Sequence, residues 1–418
     1  MNPVARLANA ILSSLVRNRH HLPRPVNRLI DDVAKNPDGV FSRVASFLLG
    51  GSSRSQAPTP GSVPDTPIRV FIGPTNYAGQ GYLWARALEV DADLGARNMA
   101  VELPGGFNFD ADTSVPVSVY NHSTRWQKAE LASVCRFSHV LIEAERPLFG
   151  SLFARDVSRE IDELQRRGIS CAFLCHGTDI RSPSAHAASN RWSPFHELSL
   201  QNQALQADSD ANLALLKARG LPVFISTPDL LTDVPWGIWC PVVVDADRWA
   251  PAGRELYSRP LPVVTHIPSM GSIKGTQLIE PLLRELHGSG LIEYRSISGV
   301  SSSLMPSLIG DSDIVLDQFR LGAYGVAAVE AMASGRIVVG HVLPETRKRV
   351  RDLVGVELPI VEADPESLRE VLFGLIADPA QGLESAAAGG VFSRRVHSGK
   401  MSVAALRAHW IDVLGGHS

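Results

Sequence analysis

The sequence predicts an α/β protein of two Rossmann-like lobes facing a central cleft, with an N-terminal helical arm ahead of them. Three observations carry that expectation. The chain has 418 residues, more than one hydrophobic core usually supports. From residue 68 onward, short β-rich runs alternate with helical stretches, stop at a proline-bearing segment, and then start again. The first fifty residues follow neither pattern.

The arm, residues 1–49, carries Val4, Leu7, Ala8, Ile11, Leu12, Leu15 and Val16 at helical spacing on one face. Arg6, Arg17, Arg19, Arg24 and Arg28 accompany the stripe, and no Asp or Glu precedes Asp31. Such a helix either docks on protein, including a second copy of the chain, or lies on an anionic membrane surface. Residues 50–67 are rich in Gly, Ser and Pro and read as a linker.

The first lobe is expected over 68–240. Its strands are Ile68–Ile72, Val115–Tyr120, Val140–Ile142, Ser170–Leu174 and Val223–Ser226. A helix opening at the loop 73–81 runs to about Leu94, and others lie near Arg125–Val134, Arg155–Arg167 and Leu198–Lys217. Residues 241–251 break the rhythm and suit a crossing between lobes. The second lobe, 252–400, has strands at Val263–His266, Ile292–Ser296, Ile314–Leu316 and Ile337–Gly340. Its helices are near Thr276–His287, Leu304–Ile309, Val326–Ser334 and Glu366–Ala377. A last helix within 401–418 has the length to return to the first lobe.

Bulk composition narrows the function. With 44% hydrophobic and 20% charged residues the chain is ordinary for a globular protein, and a net charge of −3 gives nucleic acid no electrostatic hold. The cysteines at 135, 171, 175 and 240 form no Cys-x-x-Cys pair and read as buried thiols in a reducing compartment. No apolar run reaches the length of a membrane span and no leader peptide is visible, so a cytoplasmic protein is expected. The arm would allow peripheral contact with the inner membrane face.

The chemistry concentrates in 313–340, DIVLDQFRLGAYGVAAVEAMASGRIVVG. A strand ends at Asp317, and a loop with Gly322 and Gly325 opens a helix at Val326. Backbone N–H groups at such a start suit a phosphate. Glu330 is a lone carboxylate in an apolar helix and needs a partner; a ribose diol is one. Lys274 sits beside another helix start, suited to a diphosphate leaving group. His176 leaves an apolar strand into a glycine turn, and Gly79 and Gly81 lie in a glycine-rich loop.

These segments resemble retaining GT-B glycosyltransferases of family 4. Those enzymes show Glu, seven residues, then Glu, with Ala-Met-Ala-x-Gly after; Glu330 matches the second Glu and is implied to bind ribose, while the first falls on Gly322. A subset of the family is similar to Asp317, Gln318, Gly322, Tyr324 and Gly325 as they stand here. The run 266–286 resembles the family's His-x-Pro-Ser and Lys-Gly-Thr block through His266, Pro268, Ser269, Lys274, Gly275 and Thr276. The family's Arg falls on Gly271, which leaves Arg320 as the nearest second cation in the sequence. The segment 173–181 resembles His-Gly-Ser-Asp-Ile-Arg, with Asp179 in its place; the resemblance implies that His176 contacts the donor sugar or the acceptor.

The implied donor site is thus Gly79, Gly81, Ser269, Lys274, Gly275, Tyr324, Gly325, Val326 and Glu330. His176 and Lys274 carry the chemistry, and Asp179, Asp317, Gln318 and Arg320 support it. The implied activity transfers a sugar from a nucleoside diphosphate to a hydroxyl acceptor with retention, without cofactor or metal, in polysaccharide, glycolipid or glycoconjugate synthesis. Asp245-Ala246-Asp247 and Asp311-Ser312-Asp313 do not stand at a convincing metal loop. An inactive GT-B scaffold for another glycosyltransferase, or a nucleotide-sugar epimerase of the same architecture, are the alternatives.

Overall fold

The computed structural model describes residues 57–102, 109–197, 199–249, 254–268 and 271–413. The arm predicted over 1–49, most of the linker, Ser269 and the end of the C-terminal segment lie outside the described residues. Strand pairings are parallel, and the strands belong to one sheet of seven and one of five. Contacts divide the chain into two compact units, one of Met1–Tyr82, Gly95–Ile142 and Arg146–Ser170, the other of Leu83–Leu94, Glu143–Glu145 and Cys171–Ser418.

The first unit is organised on β1 (Ile68–Gly73), β2 (Leu94–Glu102), β3 (Thr113–Pro116) and β4 (His139–Glu143), in the order β3-β2-β1-β4. Two expectations are corrected here. The predicted strand Val115–Tyr120 ends at Pro116, and a helix Val117–His122 follows. The predicted helix to Leu94 stops at Leu88, and Leu94–Glu102 is a nine-residue strand. Its buried Asn98 exchanges hydrogen bonds with Asp112, Asn98 N donating to Oδ2 at 2.8 Å and Asp112 N to Asn98 Oδ1 at 3.0 Å. That exchange satisfies Asn98 Oδ1 in the strand interior, while its Nδ2 is buried with no partner among the described residues.

The second unit contains β5 (Ser170–Cys175), β6 (Val223–Ile225) and β7 (Ile238–Trp239), and the five-stranded sheet. The latter is β12 (Val361–Glu362), β11 (Ile337–Gly340), β10 (Ile314–Leu316), β8 (Val263–His266) and β9 (Glu293–Ser296), in that order. β8, β10 and β11 are wholly buried, as their continuous apolar runs require of central parallel strands. Ile279 and Leu283 of the Thr276–Gly288 helix pack with Val264, Ile314 and Ile337 in the core. Helices Pro344–Val354 and Pro379–Val396 were not anticipated by the sequence pattern.

The crossing segment after β7 is held by the end of the chain. Val244 N donates to His397 O at 2.8 Å, His397 Nδ1 donates to Val242 O at 2.8 Å, and Ser402 Oγ donates to Pro241 O at 2.7 Å. Arg407 then pairs with Asp91 and Asp93, and the Trp410 ring lies 6.4 Å from that of Phe224 in β6. The C-terminal segment therefore returns to elements that belong, by sequence, to the first predicted lobe.

Candidate functional site

The pairing of β8 with β10 creates the site. Leu316 stands opposite His266, so the segments leaving both carboxyl ends emerge side by side. His266 is buried; its Nδ1 faces Leu316 O at 3.0 Å, and since a carbonyl only accepts, that nitrogen carries the proton. Nε2 then accepts from Thr276 Oγ1 at 2.9 Å, and burial holds the ring neutral with its pKa lowered to about 4. His266 and Thr276 thus fix the segment between them, which delivers Lys274. Gly275, at φ +82°, is needed twice over: a Cβ there would lie 2.9 Å from Arg320 Cγ.

Lys274 Nζ donates to Asp317 Oδ1 at 3.1 Å, and Gly325 N donates to Asp317 Oδ2 at 3.3 Å. Asp317 is 3% exposed and the Lys274 side chain 14%. Gly325 leads into the helix Val326–Ala333 in extended conformation, and a Cβ on it would meet nothing within 4 Å. Val326 is the half-buried first residue of that helix. Glu330 stands one turn further on, half-buried. Among the described residues no hydrogen bond or ion pair reaches its carboxylate. Burial pushes it up to about 8, against the pull of Lys274 and Arg248 and with a further push from Asp317.

One of the positions where the family pattern and this chain part has a structural reason. Gly322 has φ +65°, and a Cβ would stand 2.4 Å from Leu343 Cγ and 3.2 Å from Asn190 Nδ2. No side chain, glutamate included, fits there without displacing Leu343. Arg320 donates to Trp192 O (3.0 Å), Ser193 O (2.8 Å) and Ser272 O (3.1 Å), so its guanidinium is spent on backbone carbonyls. Asn190 Nδ2 and His186 Nε2 donate to Arg320 O and Leu321 O from the same side. Tyr324 is buried, its hydroxyl 3.4 Å from His397 Nε2. Gln318 Nε2 braces the loop by donating to Ala323 O at 2.5 Å.

A second group gathers where β5 ends. His176 Nε2 lies 3.1 Å from Oε1 of the fully buried Glu143, and its ring lies 5.7 Å from that of Trp84. Asp179 closes the turn, accepting from His176 N at 2.8 Å and from Gly177 N. The Glu145, Cys175 and Asp179 ligand atoms lie within 4.8 Å of one another, a spacing a metal ion could use. Cys175 donates to Glu145 Oε1 at 3.2 Å, and burial pushes the thiol up, with a further push from the Glu145 and Asp179 carboxylates. In the first unit, Gly79 is left-handed at φ +76° and packs on Phe109, and Gly81 is buried in the helix Gln80–Leu88.

Sequence reasoning passed over Glu143, Asn190 and Arg248. Glu143 had a signal: it ends the apolar strand HVLIE as Asp317 ends IVLD. Asn190 and Arg248 had none, because their roles rest on contacts far along the chain.

The two parallel sheets with their helices have the fold of GT-B glycosyltransferases. Three solved structures carry that statement, each at a TM-score of 0.50. Sucrose-phosphate synthase from Thermosynechococcus elongatus is 12% identical and covers 81% of this chain and 96% of its own. Anabaena HepE in complex with UDP and glucose is 11% identical, with 83% and 99% covered. An α-glucosyltransferase in complex with UDP-glucose and DNA containing an abasic site is 12% identical, with 79% and 96% covered. No protein-family model and no curated relative matches the sequence. No helix among the described residues is long and apolar enough to cross a membrane.

Proposed function

We propose that the protein is a glycosyltransferase that moves a sugar from a nucleoside-diphosphate donor to a hydroxyl acceptor with retention of configuration, without a metal. The observation that carries this reading is Glu330, a carboxylate without a partner among the described residues, one turn above the bare Gly325 backbone, with Lys274 and Arg248 close enough to act on it. A carboxylate so placed can accept from both hydroxyls of a ribose. Lys274 and the helix start would stabilise the diphosphate as the glycosidic bond breaks, since charge grows on the phosphates in the transition state. His176, oriented by Glu143, would contact the transferred sugar or the acceptor. HepE solved with UDP and glucose, and the glucosyltransferase solved with UDP-glucose, support a donor of this class.

The acceptor class would be a growing polysaccharide, a glycolipid or another glycoconjugate, met in the cytoplasm. The basic amphipathic arm would bring the enzyme to an anionic inner membrane face or join two copies. Liposome flotation and light scattering of the full chain against a 68–418 variant separate these, and identical behaviour of both proteins sinks the arm's role.

The scaffold reading draws on one observation, the commitment of Arg320 to carbonyls where a second phosphate cation would be wanted. Thermal unfolding with UDP-, GDP- and TDP-sugars decides first, because a ligand bound only by the native state raises the melting point. Donor turnover with and without acceptor then separates transferase, epimerase and scaffold. Lys274→Ala is expected to cut turnover by about 10²–10³-fold, more than it cuts donor affinity. Activity is expected to survive EDTA; loss on chelation with rescue by Mg²⁺ or Mn²⁺ would overturn the metal-free step.

A further inference from the structure

Asp317 occupies the two groups that the reading above assigns to a diphosphate. Its Oδ1 takes the Lys274 ammonium at 3.1 Å and its Oδ2 takes the Gly325 N–H at 3.3 Å. A carboxylate and a phosphate seek the same donors, and a helix start favours either anion. Lys274 has three N–H bonds and can serve two acceptors at once. Gly325 has one N–H, which Asp317 already uses at a long, weak distance.

We propose that Asp317 is a built-in counter-anion, which holds Lys274 and the Gly325 amide until the diphosphate of a donor displaces it. The inference rests on the nucleotide-sugar reading of this site and adds to it a self-occupied resting state. Lys274 and Asp317 are both largely shielded from water, so an unpaired ammonium there would be poorly solvated before the donor arrives. No second cation relieves the arrangement from the Arg320 side, because that guanidinium is held by three carbonyls. A Cβ on Gly325 would meet nothing within 4 Å, so no side chain crowds that face of the backbone beside the amide. Donor affinity is therefore set partly by a competition inside the protein. Removing the carboxylate's charge should tighten phosphate binding, the reverse of what loss of a mere positioning residue does.

The test is calorimetric titration of the full chain and of Asp317→Asn with inorganic pyrophosphate, with UDP and GDP, and with the nucleosides uridine and guanosine. Pyrophosphate and the cognate diphosphate should bind Asp317→Asn roughly tenfold more tightly, with nucleoside affinity unchanged, because a repelling charge beside the phosphates has gone. Equal or weaker phosphate binding in the variant overturns the counter-anion while leaving the nucleotide reading standing. If no nucleoside, nucleotide or pyrophosphate binds either protein, both fall together. Should Asp317→Asn not fold, the wild type labelled with ¹⁵N-glycine answers instead. Displacement requires the Gly325 amide resonance to shift as pyrophosphate or the cognate diphosphate saturates the protein; a ligand that binds with that resonance static overturns the proposal.

Discussion

Glu130 and Glu330 both carry carboxylates with no hydrogen-bond partner among the described residues, and they differ in what surrounds them. Glu130, in the first unit, is fully buried on the helix Thr124–Val134, and neither carboxylate oxygen has a partner. One turn earlier Trp126 Nε1 is also buried without one. Burial alone raises Glu130 to about 7. Glu330, in the second unit, is half-buried and raised to about 8 by burial, but Lys274 and Arg248 pull against that rise. Under the proposed function, a lone carboxylate with cations nearby and open backbone beside it is arranged for a ligand. A lone carboxylate with no charge in reach is a question of stability.

The largest expected effect belongs to Glu130. Its folded pKa lies above the ordinary 4.5, so the native state holds a proton that the unfolded chain has lost. Stability is then highest below about 4.5 and falls as pH rises towards about 7. At about 1.4 kcal/mol per pH unit, the gap amounts to about 3 kcal/mol lost by pH 8. Glu130→Gln has no proton to lose and should exceed the wild type by about 3 kcal/mol at pH 8, with little difference at pH 4.5. Urea unfolding at both values checks this; a constant difference would mean that Glu130 is solvated in the native state. Donor affinity should not change.

Glu330 should answer the other way. Glu330→Ala is expected to weaken donor binding by about 1.5–3 kcal/mol, roughly 10–150-fold, the worth of a charged hydrogen bond to a hydroxyl. The stability effect has the same sign as for Glu130, over the window from 4.5 to about 8. Titration with the donor that raises the melting point is the measurement. Unchanged affinity would reduce Glu330 to a second Glu130.

The sequence made one of these glutamates legible and hid the other. VAAVEAMA is apolar on every side, so Glu330 had to face something. TRWQKAELASV mixes Arg125, Lys128 and Glu130 among apolar residues, and Glu130 passes for a solvated position. The same limit applied elsewhere. The buried strands IVL and IVVG were readable as continuous apolar runs, whereas Leu94–Glu102 was not, because Asn98 and Gly95 interrupt its pattern. The Lys-Gly-Thr block was readable as a motif, and its cause, His266 held between Leu316 O and Thr276, needed coordinates. Arg320 looked like a free cation because Trp192 and Ser193 are more than a hundred residues away in sequence.

The finest test of the contrast is at glycine. Gly322 and Gly325 flank Tyr324 in one loop, yet only Gly322 is demanded by the protein itself. At φ +65°, with Leu343 Cγ 2.4 Å from where a Cβ would stand, Gly322→Ala should destabilise the fold by about 1–3 kcal/mol. Gly325 is extended at φ −124°, and its Cβ would meet nothing within 4 Å, so alanine there should change stability by no more than about 0.5 kcal/mol. If a diphosphate lies against that backbone beside Glu330, the added methyl stands where the phosphate must approach. Donor affinity should then fall several-fold, roughly 1 kcal/mol, while the melting point of the free protein holds. Thermal unfolding of Gly325→Ala with and without the stabilising donor reads both quantities in one experiment. A variant that keeps full donor stabilisation would place the phosphates elsewhere, and Glu330 would lose the neighbour that sets it apart from Glu130.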